Sequence, residues 1–354
     1  MAVPWALPVL KDHCFTTAAD PRNPWALAHG ITALGPDYAA RDGRAARTVI
    51  VHDFLERNLL PDGGVGPGSP LGFRPYGKDG TPIEPHPNLL TKTLVLAGVK
   101  PQASFETGFG KVTLAQLVDS VKLGFHHAPE NEEYWHHVGW TLDLLTHQLK
   151  PGESFTTGAG EKVAVDSMMD DALAYLERAT ADLSQGMKQG LPVVPKRKQG
   201  LYAHSCGGLH LVQAVFTYAR FPQVKKRWGQ RLDAQLAVLF YRLDSEHTQY
   251  QQAYELAVAK APELKLTVLV QELKFYGHFL ETLGRFKDET GWKPNAAQAQ
   301  GIAKAKAYLD YTTRRIEELK AFDGIDTLMS TQRQVALDLI GDSCHAAHGL
   351  EAWK

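Results

Sequence analysis

Two segments repeat the pattern Ser-Cys-x-x-x-His: Ser205-Cys206-Gly207-Gly208-Leu209-His210 and Ser343-Cys344-His345-Ala346-Ala347-His348. On an α-helix, residues four apart share a face, so each segment offers a thiol and an imidazole side by side. Two such helices facing each other would gather a donor set of soft sulfur and borderline nitrogen that suits tetrahedral zinc. Cys206, His210, Cys344 and His345 or His348 are therefore the candidate metal ligands. A catalytic zinc would keep three protein ligands and an open position, where it would activate water or a thiol. Two other readings of the same residues stay open. Free cysteine is among the most buried residue types, so each thiol could simply pack. Cys206 and Cys344 could also be bonded to each other as a disulfide.

Further histidines carry possible chemistry. His204, with Tyr202, stands just before a helix start, where free backbone N–H groups can hold an anion on which a histidine acts; it reads equally as a satisfied loop histidine. His126-His127 and His136-His137 flank the acidic stretch Glu130-Asn131-Glu132-Glu133 and form a possible metal cluster, or else the first turn of a solvated helix. Tyr276-Gly277-His278 with Glu281 three residues on gives an imidazole–carboxylate pair, aimed inward or lying exposed. The chain has no G-x-S-x-G elbow, P-loop, H-E-x-x-H or post-strand Rossmann glycine run.

Ala28-His29-Gly30, Cys206-Gly207-Gly208 and Cys344-His345 resemble, in that order, the short motifs of the LanC-like lanthionine cyclases. That resemblance covers about eight residues. It implies an α/α toroid whose zinc is held by Cys206, Cys344 and His345 and activates a peptide thiolate, with His29 as the acid/base group. It departs from the family at Ala346, where a glycine is usual, at His204 and Ser205, where no tryptophan precedes Cys206, and in the N-terminal position of His29.

Composition excludes several classes. The 38 basic and 39 acidic residues nearly cancel, whereas nucleic-acid binders usually carry a basic excess that neutralises phosphates. The basic run Lys196-Arg197-Lys198 reads as a solvated connector. No apolar stretch approaches the roughly 20 residues of a membrane span. Residues Met1 to Leu10 are apolar but contain Pro4 and Pro8 and lack a basic start, so they do not read as a signal peptide. Three cysteines do not make a disulfide framework, and the compartment is left open.

The elements that must position these residues are helices. Apolar side chains recur at helical spacing, as in Leu114, Leu117, Val118 and Val121, or Leu273, Tyr276, Leu280 and Leu283. The spacing predicts about a dozen helices, near 24–35, 43–60, 86–98, 113–126, 130–149, 164–186, 205–220, 222–243, 245–259, 262–287, 295–321 and 329–351. Residues 104–112 echo 154–163, each with strand formers around a Thr-Gly pair, and predict two short hairpins. Thr113 and Asp166 are placed to cap the following helices. The expectation is an all-α fold, either an α/α toroid or horseshoe with short β-hairpin insertions or an irregular multi-helix bundle. It forms one domain over 1–354, with a long Gly/Pro-rich loop at 61–87. The functional expectation is a zinc-type metal enzyme, a lyase, cyclase or hydrolase, with His29 or His204 moving the proton and a small molecule or peptide in a central cavity. The alternative is a non-catalytic helical scaffold for a peptide or protein partner.

Overall fold

A computed structural model of the chain describes residues 4–58, 69–197, 199–204 and 206–354. Ser205 of the first Ser-Cys pattern, Lys198 of the basic run and part of the 61–87 loop therefore lie outside the described residues. The fold is all-α. In chain order the helices are α1 Ala6–Thr17, α2 Pro24–Leu34, α3 Ala46–Phe54, α4 Leu89–Leu96, α5 Leu114–Gly124, α6 Glu132–His137, α7 Gly139–Gln148, α8 Val165–Ala179, α9 Ala181–Lys188, α10 Leu209–Tyr218, α11 Pro222–Lys260, α12 Lys265–Thr290, α13 Ala296–Glu318, α14 Ile325–Thr331 and α15 Arg333–Glu351. Strands occur among the described residues only as antiparallel pairs: β1 Glu56–Arg57 with β2 Leu71–Gly72, β3 Ser104–Thr107 with β4 Gly110–Thr113, and β5 Ser154–Thr156 with β6 Lys162–Ala164.

The two hairpins expected from the internal echo are present, in equivalent registers that pair Phe105 with Val112 and Phe155 with Val163. Thr113 caps α5 through a reciprocal capping box with Gln116, which satisfies two of the helix's orphan donors. Asp166 does not cap α8. It lies inside that helix, and its Oδ2 accepts the Gly152 N–H at 2.6 Å instead. Helix α1 was not anticipated from the sequence. Pro8 falls in its first turn, where a missing N–H costs nothing because that position has no intrahelical acceptor. The break expected between 243 and 245 is absent, and α11 runs on to Lys260. Its interruption is at Gly229, whose φ of 40° only glycine adopts without strain. At the expected break, Ser245 is buried and its hydroxyl accepts the Val194 N–H at 2.9 Å, so the polar residue serves packing rather than a cap.

The chain divides into two compact units, Phe15–Ala172 and the combination of Met1–Cys14 with Leu173–Lys354. The dividing points fall within α1 and α8 rather than in the Gly/Pro-rich segments. The unit of residues 15–172 buries Leu27, Ile31, Val49, Ile50, Leu90, Leu117, Leu142 and Leu145 among α2–α7. In the other unit α12 is central, and between Leu269 and Phe286 it buries Glu272, His278, Glu281 and Thr282 along with its apolar side chains. It packs against α10, α11, α13 and α15.

Helices α12 and α15 pack closely along their lengths. A Cβ at Gly277 would stand 2.9 Å from Ala346 Cα, and one at Gly349 would stand 2.8 Å from both Glu281 N and Gly277 O. Glycine lets the two backbones touch. Helix α1 docks on the same group: Cys14 is disulfide-bonded to Cys344, Lys11 pairs with Glu351 at 2.7 Å, and the His13 ring stacks on Phe322.

Candidate metal centre

Contact between α12 and α15 brings two ordinary i, i+3 sets into register. His278 and Glu281 project from α12, and His345 and His348 from α15. Helix α10 adds His210 and Gln213 from its first two turns. That helix begins at Leu209 because Gly208 takes a left-handed conformation (φ 75°) at its N-cap.

The result is a buried group of three imidazoles. Each of His210, His278 and His345 offers one ligand atom, and all three atoms lie within 4.8 Å of one another. Ring centroids are 4.8 Å apart for His210–His278, 5.4 Å for His210–His345 and 4.0 Å for His278–His345. Such a buried three-histidine group can hold a metal ion. Tetrahedral nitrogens at ~2.0–2.1 Å from zinc lie about 3.3 Å apart, so the rings would have to draw inward to hold such an ion.

Glu281 organises the group from behind. It is 3% exposed. Its Oε2 accepts from His345 Nδ1 at 2.9 Å and from Gln213 Nε2 at 3.0 Å, while its Oε1 accepts from His348 Nδ1 at 2.9 Å. An ionised carboxylate can only accept, so the Nδ1 of His345 carries a proton and its Nε2 is left as the donor atom for a metal. Burial alone would push Glu281 up, but His345, His278 and His348 hold it well below the usual carboxylate range.

His278 lies between two carboxylates, with Nδ1 3.4 Å from Glu281 Oε2 and Nε2 3.6 Å from Asp342 Oδ1. Burial would lower its pKa, yet those carboxylates and the nearby Cys206 carry it up to about 9. An ion binding here competes with that proton, so uptake strengthens as pH rises. Burial pushes Asp342 up as well, against the opposing charge of Lys274. Lys274 Nζ sits 2.9 Å from Asp338 and 3.7 Å from Asp342.

The residues singled out by spacing divide clearly. His210 and His345 come together, from two sequence-remote helices. Cys344 does not join them: its Sγ is bonded to Cys14, with Cα atoms 5.0 Å apart, so it cannot ligate and the bridge to Cys206 does not form. The zinc ligand set implied by the lanthionine-cyclase motifs is thus not assembled. Cys206 is a buried free thiol outside the three-histidine group. Together with His204 it lines a neighbouring cavity whose wall includes Lys274. His348 turns to Glu281 rather than into the group. His29 belongs to the unit of residues 15–172, where its Nδ1 meets the Trp25 carbonyl oxygen at 2.7 Å and its ring lies on the Trp25 indole.

The acidic-histidine stretch also resolves into pairs within that unit. His127 Nε2 meets Asp171 at 2.9 Å, and His136 and His137 both contact Glu133. The third imidazole, His278, appeared in the sequence only as the partner of Glu281. Gln213 and Asp342 were passed over. The available signal was a polar side chain within an apolar run, beside a glycine for His278 and Asp342.

No protein-family model, curated protein or solved structure matches the chain.

Proposed function

We propose that the helical unit of residues 1–14 and 173–354 is a metal-dependent enzyme centred on His210, His278 and His345. The observation that carries this reading is the burial of three imidazoles within ligand reach of one another, with a carboxylate fixing the tautomer of one of them. Three imidazole ligands suit zinc among the common divalent ions and leave one coordination position open. At that position a bound ion supplies Lewis acidity to a water, thiol or carbonyl oxygen. The chain's own groups hold the ligands in place: Glu281 orients His345, Gln213 orients Glu281, and Asp342 faces His278. The proton-handling groups nearest the centre are His348, which is partly exposed and bonded to Glu281, and Asp342. Hydrolysis or thiol addition fits such a centre.

A second reading rests on His278, both of whose nitrogens face carboxylates. Without metal, the group would be a buried ion network in a binding protein. Titrating chelator-treated protein with Co(II) separates the two. The enzyme reading expects one equivalent, a tetrahedral visible spectrum, and loss of both in His345→Ala. Absence of stoichiometric binding by the wild-type chain removes the proposal.

A further inference from the structure

Beside the three-histidine group, Lys196, Tyr202, His204, Cys206 and Gly207 line, with helices α11 and α12, a cavity of about 150 Å³. Liquid water occupies about 30 Å³ per molecule, so the space suits a phosphoryl group or a short carboxylate. Its lining carries three cations, Lys196, Arg242 and Lys274, and no carboxylate. The matching acids stand behind the cations and fix their positions. Glu246, fully buried, pairs with Arg242 Nε and with Lys196 Nζ at 2.8 Å, and Asp338 pairs with Lys274.

Arg242 is the most informative residue. It is 1% exposed. Its guanidinium lies between the Tyr202 and Phe275 rings, 5.2 and 5.0 Å from their centroids. Nε is taken by Glu246, and Nη1 donates to the Gly207 carbonyl oxygen at 2.6 Å. Nη2 is buried with no hydrogen-bond partner, and so is the Tyr202 hydroxyl. Buried polar groups are almost always paired, and an orphaned cationic donor is among the costliest exceptions. Two such donors line this one cavity. Gly207 keeps the arrangement open: its φ is 62°, and a Cβ there would stand 2.2 Å from Arg242 Nη2. Burial and the charge of Glu246 push the Tyr202 phenol up, so its oxygen keeps its proton and remains a donor.

We infer that this cavity binds the oxyanion group of a small molecule, a carboxylate or phosphoryl, through Arg242 Nη2, the Tyr202 hydroxyl and the Lys274 ammonium. Only one guanidinium nitrogen is available, so recognition uses a single Arg contact with Tyr202 and lysine completing the cradle, rather than a bidentate fork. Lys274 and Cys206 border both this cavity and the surroundings of His278. An anion anchored here would place the remainder of a ligand beside the imidazoles. Anion binding itself does not require the metal reading to hold.

The test uses the full chain, chelator-treated, titrated separately with inorganic phosphate and with malonate at constant ionic strength set with chloride. We expect saturable one-to-one binding of at least one of them by calorimetry, and slower labelling of Cys206, the only cysteine outside the disulfide, by a neutral maleimide. Tyr202→Phe keeps the ring against Arg242 and removes one donor, so it should weaken binding by about tenfold while the fold is retained. Preference for phosphate assigns a phosphoryl group, and preference for malonate assigns a carboxylate. The inference is overturned if neither anion binds saturably at tens of millimolar. It is equally overturned if binding survives Tyr202→Phe undiminished and leaves Cys206 labelling unchanged. Because no metal is present, either failure is independent of the fate of the metal centre.

Discussion

Glu281 accepts the Nδ1–H of His345 at 2.9 Å across a sequence gap of 64 residues. That one contact ties α12 to α15 and decides which nitrogen of His345 faces the other two imidazoles. Carboxylates placed this way raise ligand basicity and hold the ring, and their loss typically costs 10–100-fold in metal affinity. Glu281→Gln is nearly isosteric, so Co(II) affinity should fall by about that factor while circular dichroism stays the same. An affinity equal to wild type would show that the carboxylate does not serve the imidazoles.

Gly277→Ala and Gly349→Ala should each lower stability by about 1–3 kcal/mol, the usual cost of an added methyl in a filled space. Their Cβ atoms would meet backbone rather than flexible side chains. Because both act on one helix contact, the double variant should depart from additivity. Denaturant melts of the two singles and the double measure this directly. A stabilised single variant would contradict the close approach of the two helices.

The bridge between Cys14 and Cys344 predicts one titratable thiol in the unfolded, unreduced protein and three after reduction. Cys14→Ser should destabilise by about 2–4 kcal/mol. Peptide mapping without reductant should recover the α1 and α15 peptides linked. A linked pair containing Cys206 would refute the assignment.

Glu84 lies in the unit of residues 15–172, nearly fully buried, with Oε1 accepting the Leu90 N–H at 2.8 Å. Burial pushes its pKa up to about 8, against the backbone hydrogen bonds from Leu90 and Asn88. Between an unfolded value of ~4.3 and about 8, the folded chain binds a proton that the unfolded chain has released. Stability from this group is therefore fully present at low pH and declines by about 1.4 kcal/mol per pH unit across that window. Glu84→Gln should flatten the decline and leave the variant more stable than wild type at pH 8. Parallel stability–pH curves for the two proteins would count against it.

Much of the fold was legible because helical periodicity and caps are local. The Thr113–Gln116 box and both hairpins follow from a few adjacent residues. The i, i+4 pairing of thiol and imidazole did not carry over: Cys206 precedes α10, and His348, four residues after Cys344, turns to Glu281, while His345 meets His210 from one residue after Cys344. The pairing of Cys14 was not legible, because chain spacing carries no information about which of three thiols approach in space. Nor was the role of Gly277 and Gly349, whose value lies in the neighbour they admit. Arg242 and Glu246 fall on either side of the break expected near 244, and nothing local in the sequence marks them. Only their contacts with Tyr202, Phe275 and Gly207 bring them to the cavity.

The covalent link between α1 and α15 joins positions 330 residues apart, with the whole unit of residues 15–172 strung between them. During synthesis at ~5–20 residues per second, Cys14 emerges roughly 15–65 s before its partner exists. Its sulfur must stay reduced, or be passed from a carrier thiol, throughout that interval. The intervening unit is contiguous and can complete its own core before the bridge forms.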